Sequence, residues 1–310
     1  MISPGRRTER PTDTLVTSAV AAILARPQRL PVGLAALDRT LVMGILNVTS
    51  DSFSDGGRWL NPAVALARGE YLMAAGADLV DVGGESTRPD AIRISAELEA
   101  ARVLPVISAL ARQGIAVSVD TMRAEVAREA VTAGAVLVND VSGGLADPAM
   151  HATVAQLGVP YVAMHWRASA AGMSHEAHYI DVAAEVCSEL EQRASEALAA
   201  GIDPTVLVLD PGLGFAKDAA DNWTLFAAWA QLAELGYPLL VGASRKRFLG
   251  GLLAAPDGKP RDVDRREDAT TAVTALAAAA GAWCVRVHEP GPSADAVRVA
   301  AAWRSGKVTR

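Results

Sequence analysis

The chain repeats one pattern of apolar and polar positions from Thr40 onward. An alanine-rich stretch of helical length is followed by a glycine, then by a short run of Val, Leu or Ile, and then by polar residues. The glycines that stand before such runs are Gly76, Gly114, Gly134, Gly158, Gly201, Gly236 and Gly281. A glycine directly after a helix supplies the left-handed conformation that ends it. The pattern therefore predicts helices that end at a glycine and lead into a strand.

The apolar runs after these glycines are nearly continuous rather than alternating, as in "ADLVDVGG" and "TVLVLDPG". Such runs are typical of parallel strands that are covered on both faces. With the opening run "TLVMGILN" they predict eight strands, separated by helices such as 62–75, 97–113 and 181–200. Eight β-then-α units favour an α/β fold, a single (β/α)8 TIM barrel, over a doubly wound open sheet. The first strand is not followed by the dinucleotide fingerprint, which weakens the open-sheet alternative.

Residues 1–38 precede the repeats, and we predict an N-terminal extension that is poorly ordered or loosely helical, with the barrel domain over 39–310. Arg6 and Arg7 before an apolar run faintly resemble a twin-arginine export signal. Glu9 and Asp13 stand where such signals avoid acidic residues, so an extension is the preferred interpretation. No apolar stretch approaches the roughly 18 residues that span a bilayer, and we expect no membrane partner.

Composition restricts the partners further. The formal net charge of -6 provides no general attraction to nucleic acid or to anionic membranes, so any anion site must be local. We therefore expect small-molecule substrates and no nucleic acid. Cys187 and Cys284 have neither metal-ligand spacing nor the arrangement of a disulfide framework. Buried free thiols suit a reducing compartment, and a cytoplasmic location is expected.

Polar residues stand at the end of almost every predicted strand, where barrels of this type carry their active sites. These residues are Asn47, Asp81, Asp120, Asn139 with Asp140, His165, Asp210, Ser244-Arg245-Lys246, and Arg286 with His288. Any single Asp or Asn at such a position more often caps the next helix. Eight strand ends in register are harder to explain in that way, because the barrel brings them to one mouth. We therefore predict one polar site at this rim.

The residue types at the rim suggest two kinds of ligand. Asp120, Asp210, Asn139 and Lys246 form a donor and acceptor set that suits a flat heteroaromatic ring with several N–H groups, since a buried carboxylate accepts two parallel N–H bonds. A second set, Asn47, Arg286 and His288, suits an anion such as phosphate. Asn47 also offers a neutral oxygen that Mg2+ accepts beside phosphate and water. No cluster in the sequence resembles a zinc or iron site built from protein ligands alone.

The loop after the first strand, "GILNVTSDSFSDGG" over 44–57, is longer and more polar than a simple turn requires. Its two final glycines supply the backbone freedom of a lid that closes over a bound substrate. Phe53 stands between Ser52 and Ser54, a setting that weakens the alternative of an ordinary core residue. The loop is therefore predicted to close over the rim.

Seven motifs together resemble the dihydropteroate synthases, the barrel enzymes of folate synthesis. They are "MGILNVTSDSFSDGG", "VDVGGESTRP", "SVDT", "VNDVSGG", "LDPGLGFAK", "GASRKRFLG" and "VRVH", in that order. The similarity extends from about Leu41 to the C-terminus, and "MHWRA" and "RKRF" are most similar to the actinobacterial branch. The resemblance implies a homodimer, to which the alanine-rich helix over 269–280 could contribute.

Carried over residue by residue, the resemblance implies a role for each matching position. A pterin pocket would be lined by Asp120, Asn139, Asp210 and Lys246. Pyrophosphate would contact Asn47, Arg286 and His288, with Mg2+ beside Asn47. A p-aminobenzoate pocket would be formed by Phe53, Thr87, Pro89, Ser244 and Arg247. The implied catalytic residues are Asp55, Arg88, Asp120, Asp210 and Lys246, of which Asp55 and Arg88 belong to two mobile loops.

The implied reaction joins 6-hydroxymethyl-7,8-dihydropterin diphosphate to p-aminobenzoate and releases pyrophosphate. No activated nucleophile is evident, and an aromatic amine is already neutral near pH 7. An SN1-like order, in which the pterin ionises before the amine attacks, therefore suits the residues better than direct displacement. Mg2+, Arg286 and His288 would stabilise the departing oxygen, and Asp120 and Asp210 would stabilise the cation.

One departure from the family pattern is Asp90, which stands where the family commonly has glycine. An acid beside the p-aminobenzoate pocket would modestly disfavour a carboxylate or sulfonamide, unless the side chain points outward. Two further alternatives are a pterin-binding methyltransferase that serves a corrinoid, and a paralogue that binds pterin without catalysis. The lid motif and "SRKRF" argue against the methyltransferase. The silent paralogue is disfavoured by the intact set Asn47, Asp55, Arg88, Lys246, Arg286 and His288.

Overall fold

The architecture was analysed in a computed structural model, which describes residues 26–49, 62–86, 93–167 and 178–306. Within these ranges the chain alternates strands and helices, as the glycine pattern predicts. The strands are β1 (Leu41–Asn47), β2 (Leu79–Gly83), β3 (Val117–Asp120), β4 (Leu137–Asp140), β5 (Tyr161–Met164), β6 (Leu207–Asp210), β7 (Leu240–Val241) and β8 (Cys284–Val287). Each predicted apolar run corresponds to one of these strands.

The eight strands form one parallel sheet in the order β6-β5-β4-β3-β2-β1-β8-β7. The two ends of this order meet as well, because Leu209 and Leu239 form a parallel bridge and the Leu209 amide donates to the Pro238 carbonyl at 2.9 Å. The sheet therefore closes on itself, and the predicted (β/α)8 barrel is confirmed. The open-sheet alternative is excluded.

One short helix precedes the first strand, and the other helices follow the strands and cover the outer face of the barrel. They are α1 (Val32–Ala35), α2 (Pro62–Ala74), α3 (Ala96–Arg112), α4 (Ala124–Thr132), α5 (Met150–Leu157), α6 (Val182–Ala199), α7 (Ala219–Ala227), α8 (Trp229–Glu234), α9 (Arg247–Leu252), α10 (Glu267–Ala279) and α11 (Pro290–Ser305). Gly76 shows why a glycine follows the helix: its φ is 105°, and a Cβ there would lie 2.8 Å from the Cβ of Ala294 on α11.

An apolar layer fills the barrel at the end where the strands begin. The first residues of five strands, Leu41, Leu79, Leu137, Leu240 and Cys284, are buried together with Met43, Val162, Val208 and Trp283. Leu30 and Leu34 pack into the same cluster, and Leu34 belongs to α1. The helix α1 therefore covers the strand-start end of the barrel.

Part of the predicted N-terminal extension therefore contacts the barrel. Within residues 26–38, α1 is a short helix, and Arg29 pairs with Asp203 at 3.2 Å. Residues 1–25, which include the twin-arginine pair, lie outside the described residues. Among the described helices, none combines the length and the apolar character that crossing a membrane requires. Cys284 is buried and Cys187 partly buried, and both are free thiols.

Candidate active site at the strand ends

On the inward face of the barrel, the side chains change from apolar to polar two positions further along each of several strands. Asp81 follows Leu79 by two positions on β2, and the same spacing separates Asn139 from Leu137, Asp210 from Val208 and Arg286 from Cys284. Side chains two apart on a strand share a face, so all of these point into the barrel. The strand register places Asn47 beside Gly83, Gly83 beside Asp120, and Asp120 beside Asn139. These rim residues therefore gather at one mouth.

Arg286 is the centre of a buried hydrogen-bonded group. Its Nε donates to Asp81 Oδ2 and its Nη2 donates to Asp120 Oδ2, both at 2.6 Å. Asp81 Oδ2 also accepts from Asn139 Nδ2 at 3.0 Å. Asp81 is 0% exposed. One carboxylate thus joins a residue predicted to bind pyrophosphate to a residue predicted to bind pterin.

The charges in this group are unequal, because one guanidinium faces two carboxylates. Burial raises the pKa of Asp120 to about 7; Arg286 opposes this rise and the Asp81 carboxylate adds to it. Burial alone lowers the pKa of Arg286, but Asp81 and Asp120 outweigh it, so the net shift of the Arg286 pKa is upward. Asp120 therefore protonates close to neutral pH.

Asp210 and Lys246 form the opposite side of the mouth. The Gly212 amide donates to Asp210 Oδ1 at 2.7 Å, and burial raises the pKa of Asp210 against the opposing effects of Lys246 and of that amide. Lys246 Nζ donates to the Leu213 carbonyl and lies 4.4 Å from the centroid of the Phe215 ring. Burial lowers the pKa of Lys246 to about 8. Lys246 therefore loses its proton at a mildly alkaline pH.

Arg245, next to Lys246, adopts a conformation that is rare for a residue with a side chain. Its φ is 59°, in the left-handed region. Neighbours hold it there: its Nε donates to Glu267, its amide donates to Thr270 Oγ1 at 3.2 Å, and Arg266 donates to its carbonyl at 2.9 Å. Strain of this kind is concentrated at functional sites. Here it directs the chain so that Ser244 and Lys246 both reach the mouth.

The anion-binding set is only partly assembled by direct contacts. Ser244 Oγ lies 2.9 Å from His288 Nδ1 and also accepts from the His288 amide at 3.2 Å. Ser244, predicted to line a p-aminobenzoate pocket, is therefore a neighbour of a predicted pyrophosphate ligand. Arg247 begins α9 and is exposed. Phe53, Asp55, Thr87, Arg88, Pro89 and Asp90 lie outside the described residues.

Two strand-end residues point away from the mouth. Asp140 accepts from the amides of Ser142 and Gly144 and from the hydroxyls of Ser142 and Tyr161, at 2.7 to 2.8 Å. It therefore shapes the loop after β4. His165 contacts Lys217 and Glu189 behind the loop after β6. Each follows an inward residue by one position, so each occupies the opposite face of its strand.

Asp81 is the residue whose role the sequence analysis missed. The sequence indicates that it lies at a strand end but not what it does there, because its hydrogen-bond partners are 58 and 205 positions away in the chain. The two-residue spacing after Leu79 is the signal that could have identified it. The sequence also indicates no role for Lys217, the last residue of the motif "LDPGLGFAK".

The donors near Asn47 fit a magnesium ion held mainly through a substrate. Asn47 is partly buried, and a Cβ built on Gly83 would lie 3.7 Å from Asn47 Oδ1, so the missing side chain leaves this oxygen approachable. In the described ranges, no three His, Cys, Asp or Glu residues are grouped as metal ligands. One amide oxygen, with phosphate and water, is the kind of ligand set that Mg2+ accepts.

Comparisons with known proteins show the family of this chain. A family model described as pterin binding enzyme matches residues 43–288. The chain therefore belongs to the pterin-binding enzymes. The dihydropteroate synthase of Mycobacterium leprae (strain TN) is 56% identical over 263 residues, which are 84% of this chain and 93% of that protein. Within the class, the chain belongs to the dihydropteroate synthase family and is a transferase.

Solved structures support the same assignment. A dihydropteroate synthase of Xanthomonas albilineans with 4-aminobenzoic acid is 44% identical, with a TM-score of 0.77, and the match covers 88% of this chain and 95% of that one. The Yersinia pestis dihydropteroate synthase in a sulfonamide drug complex is 38% identical, with a TM-score of 0.82 and coverage of 90% and 98%. The resemblance seen in the motifs is thus confirmed.

Proposed function

We propose that this protein joins 6-hydroxymethyl-7,8-dihydropterin diphosphate to p-aminobenzoate, which forms 7,8-dihydropteroate and releases pyrophosphate. The observation that carries this proposal is the buried group in which Asp81 joins Asn139 to Arg286 and Arg286 contacts Asp120. It places acceptors and a cation from four strands at one mouth. The relatives contribute the identity of the substrates, since one was solved with 4-aminobenzoic acid.

The pterin ring would be recognised by complementary hydrogen bonds. Asp120 and Asp210 are acceptors for the N–H groups of the ring, Asn139 offers both a donor and an acceptor, and Lys246 donates to a ring oxygen. All four residues stand within one residue of the end of a strand or in the loop that follows it. Their rigid supports make the pocket preorganised, which lowers the cost of ordering it around the substrate.

The diphosphate would lie on the Asn47, Arg286 and His288 side of the mouth. Arg286 brings a permanent positive charge there, and Asp81 keeps its guanidinium in place through a 2.6 Å bond. A Mg2+ ion held by Asn47, phosphate oxygens and water would supply further positive charge to the leaving group. Ser244 and Arg247 would contact p-aminobenzoate together with Phe53, Thr87 and Pro89. Asp55 and Arg88 would complete the catalytic set, with Asp120, Asp210 and Lys246.

The reaction would begin with ionisation of the pterin. The methylene C–O bond breaks, its electron pair leaves with pyrophosphate, and the ring shares the positive charge of the methylene. Asp120 and Asp210, both largely removed from water, stabilise this cation electrostatically. The neutral amine of p-aminobenzoate then forms the C–N bond and afterwards loses a proton. Neither step requires an activated nucleophile.

The direct test uses the purified full chain with both substrates and Mg2+, and it measures pyrophosphate and dihydropteroate with and without a sulfonamide. We expect both products in equal amounts and inhibition by the sulfonamide. Asp210→Asn should lower kcat by about 100-fold or more while the melting temperature stays the same. Pterin binding without any pyrophosphate release by the wild-type chain would refute catalysis and support a silent paralogue.

Two measurements address the finer points of the mechanism. Deuteration of the pterin methylene should produce a normal secondary isotope effect on kcat/KM if ionisation comes first, and the absence of an effect would favour direct displacement. Removal of Mg2+ with EDTA should abolish turnover and addition of Mg2+ should restore it, while binding of a pterin that lacks phosphate stays unchanged. Turnover that persists in EDTA would remove the metal from the proposal.

We also propose a homodimer that forms through the outer surface of α10 and α11. Three large apolar side chains are exposed there, namely Leu276, Val299 and Trp303. Exposed apolar side chains that share one surface are typical of protein contacts. A cytoplasmic location is proposed from the two free thiols, and fractionation of cells with a tagged chain would test it.

A further inference from the structure

The loop after β6, over 211–217, has an unusual backbone. Gly212 and Gly214 have φ of 67° and 73°, and Ala216, which is not a glycine, has φ of 48°. A residue with a side chain is strained in this region and stays there only if its surroundings hold it. The loop lies directly beside the proposed pterin pocket, because Leu213 and Phe215 contact Lys246.

The Gly214 amide donates to Asn222 Oδ1 at 2.6 Å, and Lys217 supplies two further bonds that hold this loop. Its Nζ donates to the carbonyl of Gly212 at 3.1 Å and to the carbonyl of Phe215 at 3.2 Å. The Phe215 carbonyl directly precedes the strained Ala216, and the Gly212 carbonyl belongs to the first residue of the loop that has a positive φ. The same Nζ lies 2.9 Å from His165 Nδ1. Lys217 is only 9% exposed, and burial lowers its pKa to about 7; in the protonated form all three hydrogens of its ammonium group have an acceptor.

His165 and Glu189 fix the far side of Lys217. His165 Nε2 lies 3.0 Å from Glu189 Oε2 on α6. Hydrogen bonding by His165, together with Arg167, holds the pKa of Glu189 at about 2, and burial lowers the pKa of His165 to about 4. The imidazole is therefore neutral at neutral pH. Its Nε2–H donates to the carboxylate, and its Nδ1 accepts from Lys217.

The loop in turn determines where Lys246 can lie. The Leu213 carbonyl accepts from Lys246 Nζ, and the Phe215 ring lies under that nitrogen at 4.4 Å. Gly214 packs so closely that a Cβ there would lie 2.7 Å from Lys246 Cδ. A shift of the loop would therefore move the Lys246 ammonium, and a displacement of about 1 Å in such a group is enough to impair catalysis strongly.

We propose that Lys217, held by His165 and Glu189, is a positioning residue that keeps the 211–217 loop strained and thereby places Lys246 for pterin recognition. Lys217 itself does not touch the substrate, because its ammonium group faces two loop carbonyls and an imidazole. This inference rests on the proposed function for its binding readout, because the ligand is a pterin, but the loop itself can be observed without any ligand.

The main test is a double-mutant cycle between Lys217 and Lys246. Lys217→Met keeps the length of the side chain and removes its three donors. We expect the affinity for 7,8-dihydropterin, measured by calorimetry, to fall about tenfold to 100-fold in the wild-type background. In a Lys246→Met background the same change should cost at most about twofold, because residues that act as a unit are non-additive. Lys259→Met, at an exposed lysine far along the chain, is the matched control and should bind like the wild type.

Equal losses in both backgrounds, or no loss in the wild-type background, would overturn the proposal. If Lys217→Met does not fold, Glu189→Gln serves instead, since Glu189 is partly exposed and lies at the far end of the chain of contacts. It should weaken binding several-fold, and this loss too should disappear in the Lys246→Met background. An undiminished loss there would equally refute the idea.

A second measurement concerns the strain and needs no substrate. Amide hydrogen exchange over 211–217 should become faster in Lys217→Met than in the Lys259→Met control. Adding Ala216→Gly should recover part of the lost affinity, because glycine adopts a positive φ without strain. Unchanged exchange, or no recovery, would contradict the positioning role. If exchange changes as expected but the wild type forms no dihydropteroate, the proposed function fails and the role of Lys217 in the loop stands.

Discussion

Asp81 connects three strands of the barrel through one oxygen atom. Its Oδ2 accepts from Arg286 on β8 and from Asn139 on β4, while Asp81 itself lies on β2. A fully buried carboxylate is costly unless it is paired and hydrogen-bonded, and these two donors meet that requirement. The residue therefore holds the pterin side and the diphosphate side of the proposed site in a fixed relation.

Asp81→Asn should impair activity without unfolding the protein. Asp81 Oδ1 has no hydrogen-bond partner within the described ranges, so an amide nitrogen can occupy its position while the other oxygen keeps both donors. The substitution removes the charge, and it places the two N–H donors of the amide where Asp81 Oδ1 has no partner, so a modest loss of stability is also expected. We expect kcat/KM for the pterin substrate to fall about tenfold, in line with the loss of a charge-assisted bond to Arg286. Asp295→Asn, at an exposed position on α11, should match the wild type in the same assay.

The titrations of Asp120 and Lys246 predict a bell-shaped pH profile. Asp120, with a pKa of about 7, must be ionised to accept N–H groups, so kcat/KM should rise as the pH increases through that value. Lys246, with a pKa of about 8, must be protonated to donate, so kcat/KM should fall above that value. Kinetics from about pH 5.5 to about pH 9.5 would show both limbs, and a flat profile would contradict these roles.

The same reasoning predicts how one substitution moves the acid limb. The Asp81 carboxylate helps to raise the pKa of Asp120, so Asp81→Asn should lower the pKa of Asp120. The acid limb should then move to lower pH, although the maximal rate is reduced. An acid limb that stays in place, or moves to higher pH, would show that Asp120 does not set it.

At the residue scale, the sequence predicts which strand ends are polar but not which of them share a cavity. Alternation along a strand distinguishes inward from outward side chains. Asp81 and Asn139 each follow an inward leucine by two positions and therefore point inward. Asp140 and His165 do not have this spacing. The bond between Asp81 and Arg286 spans 205 positions, and no local pattern contains it. Arg245 shows a second limit, because its positive φ depends on Glu267, Thr270 and Arg266, which come later in the chain.

At the scale of elements, α1 shows how a short segment protects a distant site. It covers the strand-start end of the barrel, and Leu34 packs there with Leu41 and Met43. Water is thereby kept from the apolar layer below the polar mouth. Residues 32–35 precede the repeats, so the sequence predicts only that they belong to an extension. The repeat pattern gives no information about a segment that occurs once.

Leu34→Ala should therefore lower stability and spare catalysis. Loss of a buried leucine side chain costs about 2 to 5 kcal/mol in free energy of unfolding. The apolar layer lies between α1 and the polar residues, so kcat should remain near the wild-type value below the melting range. Urea unfolding followed by circular dichroism measures the first effect. Val32→Ala is the control, since Val32 is 85% exposed on the same helix. Equal stability of the two variants would refute this role of α1.

At the scale of the whole molecule, the surface of α10 and α11 carries the proposed dimer contact. Trp303 is 85% exposed, as is Val32 at the strand-start end. Trp303→Glu should convert a dimer into a monomer, because a charge would be buried at the contact, whereas Val32→Glu should remain dimeric. Size-exclusion chromatography with light scattering distinguishes these states. A monomeric wild type, or a Trp303→Glu variant that stays dimeric, would contradict this surface.

The barrel itself could be predicted because its signal is repeated. Seven glycine junctions and one opening strand specify eight units, and eight parallel units close most simply into a barrel. The proposed pterin pocket is harder to predict, because it arises only when strands far apart in the sequence become neighbours. Closure between β6 and β7 brings Asp210 and Lys246 toward Arg286, and this neighbourhood is a property of the closed sheet.

The central claim is tested most directly by calorimetric titration with 7,8-dihydropterin. The titration compares the wild-type chain with four variants: Asp120→Asn, Asn139→Ala, Asp210→Asn and Lys246→Met. We expect the wild type to bind with one site per chain and each variant to lose about tenfold or more in affinity, with circular dichroism spectra unchanged. If these folded variants bind the pterin as well as the wild type does, the strand ends do not form a pterin pocket.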